Sequence, residues 1–143
     1  MIIFATIYFY NTKIMIVLVL NCGSSSLKYQ VLDMKDDNTN VLLAKGLVER
    51  IGLAEGDITH KPGNEKLEIH KPIPTHTEGI KSVLDLLVDE KWGVVKSLNE
   101  IDAVGHRVAH GGDLFSSSAV IHSEVIEGIQ KCCELAPLHN PAN

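Results

Sequence analysis

Three short segments concentrate side chains suited to binding anions or moving protons. The first is Asn21-Cys22-Gly23-Ser24-Ser25-Ser26-Leu27-Lys28. Gly23 lets a backbone approach a ligand closely, and successive N–H groups in a tight turn can form an anion nest. Ser24, Ser25 and Ser26 add hydroxyl donors, Lys28 adds a point charge, and Asn21 offers an amide to a phosphoryl oxygen or a metal-bound water. The spacing matches neither G-x-x-x-x-G-K-[ST] nor G-x-G-x-x-G. The segment therefore reads either as an unconventional phosphate loop or as a serine-rich hairpin turn with a solvated lysine.

The second segment is Gly105-His106-Arg107-Val108-Ala109-His110-Gly111-Gly112. Arg107 is one of two arginines, the other being Arg50. It falls between an apolar strand and a glycine turn, and its guanidinium fork suits a carboxylate or a phosphate. Val108 and Ala109 could wall a small pocket. The other reading is an arginine held by a structural carboxylate. His106 and His110 are four apart, but the segment is not helical and lacks the glutamate of a zinc-binding H-E-x-x-H. The third segment is Ala136-Pro137-Leu138-His139-Asn140-Pro141-Ala142-Asn143. Prolines flank His139 on both sides, so its imidazole is either a fixed donor or acid/base group, or merely structural. His60, His70, His76 and His122 lie in polar contexts and read as surface residues. Cys22 has no visible base and reads as packing.

The elements that must position these segments follow from hydrophobic period. Ile16 to Leu20 is a continuous β-branched and leucine run closed by Asn21-Cys22-Gly23, the pattern of a buried central strand. Leu27, Tyr29 and Val31 alternate with Lys28 and Gln30, so the serine turn joins two strands of a hairpin. Val41 to Ile51 reads as a third strand, bulged at Gly46. Residues 52–74 read as loop with one short strand at Lys66–His70. Ile80, Val83, Leu84, Leu87 and Val88 predict a helix over Thr75–Trp92, with Thr75 and Glu78 as a capping box. Ile101–Arg107 predicts a strand. Ser123–Leu135 predicts a helix with Val125, Ile126, Ile129, Cys132 and Cys133 inward. The order is β-β-β-(β)-α-β-α, an α/β mixed sheet with packed helices.

The 143 residues are 45% hydrophobic and 22% charged, which excludes whole-chain disorder. Thirteen Lys and Arg against eighteen Asp and Glu leave a formal charge of −5, which argues against a nucleic-acid binder. Three cysteines, two of them adjacent, suit a reducing cytoplasm better than a disulfide framework. Residues 1–14 are apolar and aromatic. Asn11, Thr12 and Lys13 break the run short of a membrane span, and residues 1–10 lack the basic start of a signal peptide. They are expected to be an appended segment outside a fold covering residues 15–143.

Together, in this order and spacing, the three segments resemble closely three signature blocks of the acetate kinase family. The resemblance runs over about residues 15–143. It implies a ribonuclease-H-like, actin-like domain, and reversible phosphoryl transfer between ATP and acetate, giving acetyl phosphate and ADP, with Mg²⁺ or Mn²⁺. Carried over by position, Asn21 lies near the metal and the transferring group. Gly23, Ser24, Ser25, Ser26 and Lys28 face the phosphates. Arg107 binds the acetate carboxylate or the phosphoryl group, and His139 stabilises the transition state. Ala109 and Leu138 wall the acetate pocket. Ala109 stands where the family usually has valine, which enlarges that pocket and brings propionate in as an alternative acid.

Family members are much longer. Their second domain supplies the adenosine site and further catalytic groups, and carries the main contacts of a homodimer. The expectation is that this chain forms one side of a two-sided cleft, is inactive alone, and needs that second domain as its partner. A non-catalytic phosphate- or carboxylate-binding module is the other reading. Neither nucleic acid nor membrane is expected as a partner.

Overall fold

A computed structural model describes residues 2–5, 14–35, 39–135, 137 and 140–142. Seven strands form one mixed sheet: β1 (Ile2–Ala5), β2 (Ile14–Cys22), β3 (Ser26–Lys35), β4 (Asn40–Glu49), β5 (Gly56–Pro62), β6 (Leu67–Lys71) and β7 (Ala103–Arg107). Their spatial order is β1-β7-β2-β3-β4-β5-β6. β2 to β6 form an antiparallel meander, and β7 returns parallel to β2. Such a parallel return needs a crossover, and helix α1 (His76–Leu87) supplies it. Helix α2 (Ser123–Lys131) follows β7.

Ile2–Ala5 pair antiparallel with the outer edge of β7, and β2 begins at Ile14. The leading segment, expected to lie outside the fold, thus contributes a strand. The physical reason is available in both partners. β7 presents an edge of unpaired backbone groups, and Ile-Ile-Phe-Ala is a β-prone run that can satisfy them.

One face of the sheet is dry. Leu18, Leu20 and Cys22 of β2, Leu27, Tyr29 and Val31 of β3, Ala44 and Val48 of β4, and Ile58 of β5 point to it. Val83, Leu86 and Leu87 of α1 close over them, together with Ile73 and Val95. Each buried valine, leucine or isoleucine among them contributes about 1.5–3 kcal/mol. Thr75 caps α1 by accepting from the Glu78 N–H, and its hydroxyl donates to the Glu78 carboxylate.

β5 departs from the loop expected there. Its inward positions are Gly56, Ile58 and His60, so a glycine and a histidine interrupt the apolar alternation. His60 is fully buried and paired on both nitrogens, by the Tyr29 hydroxyl at Nδ1 and the Trp92 carbonyl at Nε2 (2.9 Å). Gly46 is not a bulge; the Tyr29 ring occupies the space of its missing side chain, 2.4 Å from where a Cβ would stand. The register shift lies between Val31 and Leu32 instead. α1 ends at Leu87, short of Trp92. α2 gives way to a 3-10 turn at Cys132–Glu134. Ile126, expected inward, is 46% exposed.

Candidate active site

The strand ends that carry the first two segments lie side by side. β2 finishes at Asn21-Cys22, turns through Gly23–Ser25 and re-enters the sheet at Ser26. The Gly23 N–H donates to the Ser26 carbonyl (2.7 Å), which closes the turn. A Cβ at Gly23 would stand 3.0 Å from Ser26 Oγ, so a larger residue there would press on that hydroxyl. Two outside contacts hold the turn. Ile51 N–H donates to the Ser25 carbonyl (3.0 Å), and His76 Nε2 lies 2.6 Å from the Gly23 carbonyl. His76, read from sequence as a surface residue, is therefore a brace between the α1 start and the hairpin. Ser24 and Ser25 are exposed at the tip. Burial pushes the Cys22 thiol up, away from thiolate, which agrees with a packing role.

Alternation decides which side chains share a face. Asn21 pairs across the hairpin with Lys28, and Leu20 pairs with His106 of β7. One position further, Asn21 and Arg107 are neighbours on the face opposite α1. Arg107, Asn21 and Lys28 thus form one row across three adjacent strands, all on the polar side of the sheet. Arg107 is exposed, and among the described residues no carboxylate forms an ion pair with it. The reading of Arg107 as a structural ion pair finds no partner there.

The loop after β7 is clamped from the far end of the chain. Asn140 is buried; its Oδ1 accepts from His110 N–H (3.0 Å) and its Nδ2 donates to the His110 carbonyl (2.8 Å). His110 Nδ1 in turn accepts from Gly112 N–H (2.9 Å). Gly112 has φ +59°, and a Cβ there would meet Cys132 Sγ at 2.9 Å. The clamp joins the second segment to the third. Leu138 and His139 themselves lie outside the described residues. Sequence reasoning missed Asn140, whose signal is only a polar residue flanked by His139 and Pro141. Ala109 is half-buried between Val108 and His110.

His106 points the other way, into a cavity of about 470 Å³ with Val108, Ile121, Ile126, Ile129 and Asn140. Burial holds its imidazole below the ordinary value of 6.5.

The residues present do not make a divalent-cation site by themselves. Asn21 is flanked by two cations. Among the described residues no group of three or more His, Cys, Asp or Glu could hold a metal. A divalent ion here would need oxygens from elsewhere. Among the described residues no helix is long and apolar enough to cross a membrane.

Residues 16–143 match the model of the Acetokinase family. The chain belongs to that family. It is 55% identical over 127 residues to an acetate kinase of Thermoanaerobacterium thermosaccharolyticum, and 59% identical over 128 residues to one of Desulfitobacterium hafniense. Each match covers 89% of this chain and 31% of the relative. The crystal structure of Porphyromonas gingivalis acetate kinase superposes with a TM-score of 0.84 at 48% identity, over 90% of this chain and 32% of that one. A propionate kinase of Francisella tularensis superposes at 0.75 and 36% identity, over 90% and 31%. The acetokinase chain described here thus spans about a third of its relatives' length, and its α/β fold is theirs.

Proposed function

We propose that this chain supplies one wall of an acetate kinase active site, in which a phosphoryl group passes reversibly between ATP and acetate. The carrying observation is the row Arg107–Asn21–Lys28 beside the serine hairpin, in a chain matched to the Acetokinase family over residues 16–143. In the forward direction an acetate carboxylate oxygen attacks the γ-phosphorus while the bond to the ADP oxygen breaks. Such a transition state spreads negative charge over the equatorial oxygens, so positioned donors and cations lower its energy.

The Arg107 guanidinium holds the acetate carboxylate or the phosphoryl oxygens by its fork. Gly23, Ser24, Ser25 and Ser26 present N–H and hydroxyl donors at the hairpin, and Lys28 adds charge. The Asn21 amide sits between the two cations and orients a phosphoryl oxygen. His139 donates to the developing charge, and Ala109 and Leu138 wall the methyl group. ATP is the donor. Mg²⁺ would be held mainly by phosphate oxygens and by the relatives' remaining two thirds. Three cysteines without a disulfide fit work in a reducing cytoplasm. Acetate is favoured over propionate because the acetate kinase superposes at higher identity than the propionate kinase.

The test joins residues 15–143 to the remaining two thirds of the Thermoanaerobacterium thermosaccharolyticum relative. The chimaera is expected to form acetyl phosphate from ATP and acetate, with propionate a poorer acceptor. The 143-residue chain alone is expected to form none above background. An inactive but folded chimaera would contradict the reading.

A further inference from the structure

A trough of about 580 Å³ crosses the polar face of the sheet beyond Asn21 and Lys28. Val19, Gly46 and Leu47 line it, with Gln30 and Thr59 among them and Lys28, Lys45, Lys61 and Lys66 around. Its volume falls in the range of small-molecule sites, about 300–1,000 Å³. The register makes its charge unusual. Lys45 of β4 stands directly opposite Lys61 of β5, and Gln30 of β3 stands opposite Lys45 on the other side. Like charges directly opposite on a sheet repel and destabilise the pairing.

Little relieves that repulsion. Among the described residues no carboxylate forms an ion pair with Lys28, Lys45 or Lys61, and none lines the trough. Glu68 at the β6 edge bonds Lys66, and that hydrogen bond, with the Lys66 charge, holds its carboxyl below the usual range, with His70 and Lys61 adding to the effect. This concentration of cations occurs on a chain whose formal charge is −5. Gln30 and Thr59 place an amide and a hydroxyl beside the paired ammoniums, the donor set of an oxyanion site.

We propose that the trough binds a multivalent phosphate-bearing anion, bridged by Lys45 and Lys61 and hydrogen-bonded by Gln30 and Thr59. Bound anion removes the cross-strand repulsion, so the ligand stabilises the sheet as it binds. The trough shares Asn21 and Lys28 with the proposed phosphoryl site. Lys45 and Lys61 lie outside that reading, so variants there test the trough alone.

The experiment titrates the ¹⁵N-labelled 143-residue chain with tripolyphosphate and, separately, with ATP at low salt. Saturable amide shifts are expected at Gln30, Lys45, Gly46, Thr59 and Lys61. The tighter of the two ligands tells free phosphate chains from nucleotide-borne ones. Lys45→Gln/Lys61→Gln is expected to weaken the tighter ligand about tenfold or more, whereas Lys96→Gln leaves it within about twofold. Each single variant, Lys45→Gln and Lys61→Gln, is also expected to melt no lower than the parent without anion and to lose the anion-induced rise in Tm. The proposal is overturned if neither ligand saturates these amides, if Lys96→Gln weakens binding as much as the double variant, or if hexaglutamate binds there as tightly as tripolyphosphate.

Discussion

The two faces of one sheet differ in what they ask of neighbouring residues. Lys45 and Gly46 are adjacent in β4, yet Gly46 faces a ring packed into the core and Lys45 faces the trough. On the α1 side the Tyr29 hydroxyl and the His60 imidazole are buried and paired. The Tyr29 hydroxyl, the His60 imidazole and the Trp92 carbonyl satisfy each other, and burial pushes the Tyr29 hydroxyl far above its ordinary range. On the polar side Arg107, Lys28, Lys45 and Lys61 have no carboxylate bonded to them among the described residues. A closed face spends its polar groups on itself, whereas an open one leaves charge for a ligand. Strand parity thus separates the packed face from the face that carries the proposed phosphoryl site.

The sharpest way to break this comparison is a change on the closed face. Gly46→Ala forces a methyl into the Tyr29 ring, which its bond to His60 holds in place. Overpacking of this kind costs about 2–3 kcal/mol, and urea unfolding measures it. A loss below about 0.5 kcal/mol would mean that the ring is free to move. The next effect concerns the clamp. Asn140→Ala leaves both backbone groups of His110 without their partner, at about 1–2 kcal/mol. In the chimaera it is expected to lower turnover as well, because it loosens the loop that follows Arg107.

The smallest effect is a pH dependence. His106 titrates below its unfolded value because burial disfavours the imidazolium. Below about pH 6.5 the unfolded chain binds the proton first. The stability this group contributes is therefore present above that pH, and is lost as the pH falls through the depressed folded value. Unfolding from pH 7.5 to 5.5 is expected to show falling stability, with a flatter slope in His106→Gln. An unchanged slope would place the burial of His106 in doubt.

Much of this was legible in the sequence because period carries it. The β2–β3 hairpin, α1 and β7 follow from alternation and from an i, i+3, i+4 stripe. The family resemblance follows from three segments in order. The placement of Arg107 beside Asn21 was not legible, since a parallel return joins residues far apart in the chain. β5 was missed because His60 occupies an inward position, and only the partners at Tyr29 and Trp92 make that tolerable. The bracing role of His76 and the clamp by Asn140 were missed for a related reason. A polar side chain that serves a distant backbone group leaves no periodic trace. The β1 pairing depends on an edge that exists only once β7 has docked on β2.

On the proposed function the polar face carries the chemistry and the closed face supports it. Arg107→Ala in the chimaera tests this most directly. A fall in kcat/KM for acetate of about 100-fold or more is expected with Tm unchanged, because the guanidinium is exposed, has no carboxylate partner among the described residues and is proposed to bind the substrate's charge. Unchanged kinetics, or a loss explained by a lowered Tm, would contradict it.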